Sequence, residues 1–207
     1  MERNNTCQLR DQCPKKTDEE LVEFVLANKQ CYVCLMERYE EKILRYIQRI
    51  SGLSREGSED IAQEVFLKVF INLNSFDRKM KFSSWLYRIA HNETINYWRR
   101  NKKTNESAFL WDDFEGLRNI IKDSYNLEQE VYQKLNNRKL VETIGQLSDK
   151  YREVLILNYL EGKSYQEIAD VLNKPIGTVG TLINRAKKAL AVLLKKQGIN
   201  SYTAFKS

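Results

Sequence analysis

The apolar residues of this 207-residue chain recur at helical spacing along most of its length, and this periodicity is the strongest constraint on the fold. Gly and Pro, which interrupt helices, number only eight and two. Thr17–Glu20 and Ser164–Glu167 have the composition of capping boxes, which begin helices. Strand-like alternation is scarce, so the sequence predicts an all-α fold with short turns.

The helical pattern divides into two spans, each the size of a small domain. It covers residues 17–103 and resumes over 127–197. Residues 104–126 lack the periodicity and are acidic, which predicts a flexible linker. Residues 1–16 and 198–207 are predicted to be flexible tails. We therefore expect two small helical domains joined by a flexible linker. The acids of the linker are Asp112, Asp113, Glu115 and Asp123.

The segment Ser164–Ala189 has the layout of a helix-turn-helix. A short helix containing the small Ala169 is followed by a tight turn at Asn173–Pro175 and a longer, basic helix. Such a second helix lies in the major groove, where Asn can read adenine and Arg can read guanine. The alternative is an ordinary helical hairpin with a solvated basic face; capping, turn length and charge together favour DNA binding. The DNA-binding candidates are Ser164, Thr178, Thr181, Asn184, Arg185 and Lys188.

A second basic segment, Phe82–Lys103, combines cations with Trp and Tyr residues. Cations hold a nucleic-acid backbone and aromatic rings stack on unpaired bases, which is typical of a single-strand binder. Trp85, Leu86 and Ile89 are instead expected to lie in the core. The candidates for binding a melted strand are Lys81, Arg88, Asn92, Asn96, Arg99, Arg100 and Lys103.

The helix Asp60–Phe70 is predicted to begin after a cap at Ser58 and has apolar residues on more than one face. One face must pack into its own domain, and the remainder could dock on another protein. Buried helices often share this pattern, so the signal is weak alone. The docking candidates are Asp60, Gln63, Glu64, Phe66 and Leu67.

Four cysteines lie near the amino terminus, and Cys31-x-x-Cys34 has the spacing of a zinc or redox pair. Small buried cysteines are also common in helix cores, and a cytosolic chain keeps them reduced. We expect Cys31 and Cys34 to be structural, with no metal and no cofactor. Cys7 and Cys13 fall in the predicted tail.

The net charge of +6 favours a polyanionic partner. The chain lacks the apolar run of ~18 residues that spans a bilayer, and its amino terminus is polar, so we expect a cytoplasmic protein without membrane insertion. A single histidine, His91, argues against a histidine-based site, and no phosphate-binding glycine loop is present.

Three motifs, in this order along the chain, resemble the extracytoplasmic-function (ECF) group of bacterial sigma factors. They are Asp60–Lys68 (DIAQEVFLK), Phe82–Asn92 (FSSWLYRIAHN), and the stretch from Tyr151–Leu155 (YREVL) through Arg185–Lys187. The resemblance covers about residues 30–103 and 127–195. It implies sigma region two and region four domains in a protein that directs core RNA polymerase to promoters and promotes DNA melting, without being an enzyme.

The resemblance also assigns roles to the three candidate sets. The Asp60–Phe70 helix would dock on the clamp helices of core polymerase, whose flap region is a further contact. Lys81–Lys103 would melt and read the minus-ten element, and the helix-turn-helix would read the minus-thirty-five element of promoter DNA. An anti-sigma factor is a candidate partner. Gly180 and Leu182 stand near positions where family members often carry a basic residue and an Arg.

Two other classes of function are alternatives. A stand-alone transcriptional regulator would need only the helix-turn-helix, and not the aromatic-basic or docking helices. A cysteine redox enzyme would need an activated thiol beside a strand-helix fold, for which the pattern gives little support.

Overall fold

The computed structural model describes residues 10–101, 140 and 142–197, and all the regular structure in these ranges is helical. The all-α prediction is therefore confirmed. The first domain contains α1 (Asp18–Ala27), α2 (Tyr32–Ser51), α3 (Arg55–Asn72) and α4 (Phe82–Asn101), with 3₁₀ turns at Arg10–Lys15, Lys29–Cys31 and Leu73–Ser75. The second domain contains α5 (Asp149–Leu155), which continues into a π-helical turn (Ile156–Leu160), then α6 (Tyr165–Leu172) and α7 (Ile176–Lys196).

Both predicted capping boxes are present. The Thr17 hydroxyl accepts from the Glu20 backbone N–H (3.2 Å), and the Glu20 carboxylate accepts from the Thr17 N–H (2.7 Å). Ser164 and Glu167 make the same reciprocal pair at the start of α6. Each box satisfies two donors that a helix start would otherwise leave unpaired.

The long helix α2 supplies the centre of the first domain's core. Its Ile43, Tyr46 and Ile47 side chains are fully buried between α3 and α4. Burying each of the two Ile side chains stabilises the fold by about 1.5–3 kcal/mol. These contacts fix α3 and α4 relative to each other, and so position the two candidate surfaces that the helices carry.

Helix α3 begins earlier than the sequence predicts. Ser54, not Ser58, is the N-cap, because its hydroxyl accepts from the Gly57 N–H at 3.4 Å. Ser58 is buried and donates back to the Ser54 carbonyl at 2.9 Å. Helix α3 therefore begins at Arg55, and Gly57 lies in its first turn.

The helix-turn-helix layout is present in the second domain. Helix α6 ends at Asn173, whose positive φ of 49° reverses the chain before α7. Ala169 is buried where α6 meets the domain core. The side of α7 that faces the domain core is an apolar stripe at helical spacing, and all its members are buried: Val179, Ile183, Ala186, Leu190 and Leu194.

Two expectations about the amino terminus are wrong. Residues 10–15 of the predicted flexible tail form a 3₁₀ turn, and Cys13 is buried in it. Cys13 and Cys34 form a disulfide rather than remaining reduced thiols, because the turn packs on the first turn of α2. Cys31 is also disulfide-bonded. The predicted linker 104–126, most of the helix predicted from residue 127, and the carboxy-terminal tail lie outside the described residues.

Candidate nucleic-acid interface

Helix α7 presents an exposed polar row opposite its buried stripe. The predicted candidates Thr178, Thr181, Asn184, Arg185 and Lys188 are all exposed. Their spacing brings them onto one side of the first three turns, where a recognition helix meets base edges. Ser164 is exposed too, but its hydroxyl is occupied in capping α6. The helix-turn-helix candidates therefore form one continuous surface.

Leu182 lies near a position where members of the family that the sequence resembles often carry an Arg. Its side chain packs against the domain core and is only half exposed. A residue at this position lies beside the exposed row rather than within it. A Cβ atom added at the neighbouring Gly180 would lie 4.0 Å from Cδ2 of the Tyr165 ring.

The candidate residues of α4 divide into two groups. The group near the carboxyl end faces outward: Asn92, Arg99 and Arg100 are exposed, and Asn96 is half-buried. The Asn96 amide donates weakly to Glu93 at 3.5 Å. These positions share one side of the helix, so they form a polar and basic stripe. Lys103, the last candidate, lies outside the described residues.

The aromatic residues of α4 lie mainly within the fold. Trp85 contacts Phe76 and Phe82 at ring separations of 5.3 and 6.0 Å, and Leu86 is buried. This confirms the prediction that Trp85, Leu86 and Ile89 belong to the core. Tyr97 and Trp98 are half-buried next to the basic stripe.

The second group of α4 candidates contacts the other domain. The Arg88 guanidinium Nε donates to the Asp170 carbonyl oxygen at 2.5 Å, and Lys81 pairs with Glu167 at 3.4 Å. In the reverse direction, Lys163 donates to the Ser83 hydroxyl at 3.1 Å. Two residues predicted to bind the melted strand therefore lie against α6, the first helix of the helix-turn-helix. The sequence reasoning did not predict this contact.

A buried ion pair extends the same interdomain contact. Arg49 of α2 pairs with Glu161 at 2.5 Å, and only 15% and 6% of their side chains are exposed. The Tyr87 hydroxyl donates to the other Glu161 oxygen at 2.7 Å. Burial raises the pKa of Tyr87 well above its ordinary value, so it remains a neutral donor. Glu161 thus ties the second domain to two elements of the first.

His91 of α4 and Glu153 of α5 face each other across the contact, with Nε2 and Oε1 3.5 Å apart. Neither ring nitrogen of His91 has a hydrogen-bond partner among the described residues. Burial lowers the pKa of His91 to about 4, and the Lys174 charge lowers it further in the same direction. Burial raises the pKa of Glu153 to about 7, with Asp149 adding to the shift and Lys174 and Arg152 opposing it.

The docking candidates of α3 differ in their exposure to solvent. Asp60, Gln63 and Glu64 are exposed, and Leu67 is 57% exposed. Phe66 is buried instead, with its carbonyl accepting from the Tyr32 hydroxyl at 2.6 Å.

Two further apolar residues, Phe70 and Ile71, are exposed on α3 and were not among the candidates. A groove of about 640 Å³ runs between α2 and α3, with Phe66, Leu67 and Phe70 in its lining. Its apolar lining beside the acidic residues of α3 fits a protein partner better than a nucleic acid.

Within the described ranges, no group of three or more His, Cys, Asp or Glu residues is arranged to hold a metal ion. The same part of the chain has no helix both long and apolar enough to cross a membrane.

The exposed row on α7, the basic stripe on α4 and the two-domain helical fold define a DNA-binding protein with a carboxy-terminal helix-turn-helix. Comparison with known families agrees domain by domain. Residues 35–104 match the family described as Sigma-70 region 2, and residues 137–190 match Sigma-70, region 4.

Two curated relatives are similar over nearly their whole length. The ECF RNA polymerase sigma factor SigW of Bacillus subtilis is 36% identical over 171 residues, which is 81% of this chain and 91% of the relative. The RNA polymerase sigma-H factor of Pseudomonas aeruginosa is 34% identical over 181 residues, covering 85% and 93%. Among solved structures, the sigma factor RpoE in complex with the anti-sigma factor NepR from Bartonella quintana has the same fold. Its TM-score is 0.59 at 22% identity, with 77% of this chain and 94% of that chain covered.

The chain belongs to the ECF family of RNA polymerase sigma factors. It is an initiation factor for promoter-specific transcription, and its relatives are initiation factors rather than enzymes.

Proposed function

We propose that promoter work is divided between the two domains. The exposed row on α7, centred on Arg185, reads the minus-thirty-five element as duplex. The stripe on α4, from Asn92 to Arg100, binds the melted minus-ten element. The observation that carries this proposal is a difference in composition between the two helices. Helix α7 contains no aromatic residue and its exposed row is polar and basic. The α4 stripe, in contrast, lies beside Tyr97 and Trp98 of the same helix.

The interdomain contact implies that the free chain must open before it engages a promoter. Elements centred at minus ten and minus thirty-five are roughly 25 base pairs apart, which is about 85 Å of duplex at about 3.4 Å per base pair. Domains joined by the Arg88–Asp170 and Arg49–Glu161 contacts lie side by side and cannot span this distance. Separation would also release Lys81 and Arg88 for the melted strand.

The exposed face of α3 is proposed to dock on the clamp helices of core polymerase. Asp60, Gln63 and Glu64 supply polar and acidic contacts, and Leu67 supplies exposed apolar area. The buried Phe66 would support this face from beneath and shape the adjacent groove rather than touch the partner directly. Phe70 and Ile71 extend the apolar part of the face.

Partner and location follow from the family role. An anti-sigma factor is proposed as a partner, because the structural relative from Bartonella quintana is bound to one. A protein that works on core polymerase and promoter DNA acts in the cytoplasm. It needs no catalytic residues of its own, since polymerase carries the chemistry.

The proposed division is tested with Arg185→Ala and Arg100→Ala in transcription reactions containing core polymerase. Arg185→Ala should weaken closed-complex formation, by about 1–3 kcal/mol if the side chain contacts a base. Arg100→Ala, or Asn96→Ala, should leave duplex binding intact and reduce strand opening, which permanganate reports at unpaired thymines. Lys196→Ala removes one exposed cation from the last turn of α7 and is the matched control for charge.

Two results would contradict the division. One is an Arg185→Ala protein that binds duplex normally yet cannot open it. The other is an Arg100→Ala protein that opens bound promoters normally but binds duplex poorly.

A further inference from the structure

The amino-terminal 3₁₀ turn is covalently joined to the first domain. Cys13 in this turn and Cys34 in the first turn of α2 form a disulfide, with their Cα atoms 5.8 Å apart, an ordinary separation for such a bond. Both side chains are buried, with 7% and 3% of their surface exposed. The bond therefore joins a segment before α1 to the helix at the centre of the core.

Contacts that do not depend on the bond hold the same segment in place. The Arg38 guanidinium donates to the carbonyl oxygens of Cys13 (2.6 Å) and Lys16 (2.7 Å), and it pairs with Asp18 at 2.7 Å. The Tyr39 hydroxyl donates to the other Asp18 oxygen. After reduction, these contacts keep the two thiols close together, so re-formation of the bond is effectively intramolecular.

The chemical role of the bond depends on the compartment in which the protein acts, and that compartment is inferred from the proposed function. A protein that acts on RNA polymerase works where thiol systems keep most cysteines reduced, and disulfides found there are usually transient or redox-sensing. We propose that Cys13 and Cys34 are a redox-responsive dithiol site whose reaction partners are low-molecular-weight disulfides. Oxidation adds a covalent tie between the amino-terminal turn and α2, and reduction leaves the turn held only by the Arg38 and Tyr39 contacts, from which it can open locally.

The exchange is chemically balanced without a metal or cofactor. The Cys34 thiol loses its proton, and the thiolate attacks one sulfur of the small disulfide and expels one thiolate. Cys13 then loses its proton and attacks the Cys34 sulfur of the mixed disulfide, which expels the second thiolate. The protein loses two electrons and two protons, and the small disulfide becomes two thiols.

The test uses the full chain equilibrated in mixtures of oxidised and reduced glutathione. After acid quenching and alkylation, peptide mass spectrometry should find the Cys13–Cys34 link rising with the oxidised fraction and disappearing on reduction. Trypsin cleavage after Lys15 and Lys16 should be about tenfold or more slower in the oxidised form, since the closed loop opposes local opening. Because Cys31 is also disulfide-bonded, the comparison is made in a Cys31→Ser background. Cys31→Ser alone is the matched control that should retain the Cys13–Cys34 link and the protection, and adding Cys34→Ser should abolish both.

Three results would overturn the proposal: a link between Cys31 and Cys34 in place of Cys13–Cys34, equal cleavage in both redox states, or stoichiometric zinc that is lost in Cys13→Ser. Core polymerase binding is measured in parallel under reducing conditions. A chain that cross-links as expected but does not bind core polymerase would contradict the proposed function and leave the redox site standing.

Discussion

The buried His91–Glu153 contact predicts an unusual dependence of stability on pH, because its two members respond in opposite directions. The pKa of Glu153 is raised from 4.5 to about 7. Its contribution to the free energy of unfolding is therefore complete below pH 4.5 and is lost as pH rises through about 7. The pKa of His91 is lowered from 6.5 to about 4, so its contribution is complete above pH 6.5 and is lost as pH falls through about 4. Between 4.5 and 6.5 the two slopes cancel.

Removing either group should expose the slope of the other. Glu153→Gln leaves His91 alone, so stability should fall on acidification from pH 6.5. His91→Gln leaves Glu153 alone, so stability should fall as pH rises toward 6.5. Over about 1.5 pH units the free energy of unfolding should change by an amount on the order of 2 kcal/mol, at about 1.36 kcal/mol per pH unit. For a chain of this size that corresponds to about 4–8 °C in Tm.

The assay is thermal unfolding at about pH 5 and about pH 6.5, followed by circular dichroism. The quantity compared is each variant's Tm difference between the two pH values, minus the wild-type difference, which removes the titration of all other groups. The two single variants should deviate with opposite signs, and the double variant Glu153→Gln/His91→Gln should match wild type. Equal Tm differences in all four proteins would refute the opposed titration.

Three further variants test separate parts of the structure. Glu161→Gln leaves Arg49 buried without a counter-charge, which lowers the free energy of unfolding by about 3–5 kcal/mol in comparable pairs. The domains should separate, so the radius of gyration from small-angle scattering should rise. An unchanged radius would show that Glu161 does not hold the domains together. Glu64→Lys should weaken core polymerase binding in a pull-down while the Tm stays at the wild-type value; normal binding by the folded variant would remove α3 from the docking role. Ser164→Ala should lower stability by about 1 kcal/mol through loss of the α6 cap, with Thr17→Ala as a cap of the same kind in the other domain; a Ser164→Ala protein with wild-type urea midpoint would mean that the box contributes nothing.

Local features of the fold could be predicted from the sequence because they depend on neighbours within a few residues. The capping boxes at Thr17 and Ser164 and the buried stripe of α7 follow from spacing alone, and all three are present. The start of α3 was misplaced because Ser54 and Ser58 are both acceptable caps. Only burial of Ser58 decides between them.

Features that depend on tertiary contacts could not be predicted. Lys81 and Arg88 are cations of the kind that bind nucleic acids, and nothing in the sequence indicates that α6 would contact them. Four cysteines allow three pairings, so the spacing that drew attention to Cys31 and Cys34 was misleading. The Cys13–Cys34 pairing depends on how the 3₁₀ turn packs on α2, which is set by Arg38.

The interdomain contact pairs cations with oxygen acceptors, as DNA phosphates also would. How readily the domains separate therefore depends on how strongly each of these pairs is held. The Asp170 carbonyl oxygen and the Glu167 carboxylate of α6 contact Arg88 and Lys81, the two cations that we propose bind DNA phosphates in the open chain. Lys81 is 68% exposed in its pair, so that pair contributes roughly 0–1 kcal/mol and is screened by salt. The Arg49–Glu161 pair is almost fully buried and is screened far less. The buried Arg49–Glu161 pair therefore resists opening more than the Lys81–Glu167 pair does, and the exposed Lys81 can exchange its protein acceptor for a phosphate at little cost. A partner that separates the domains must act mainly on Glu161, and salt alone should not open the chain.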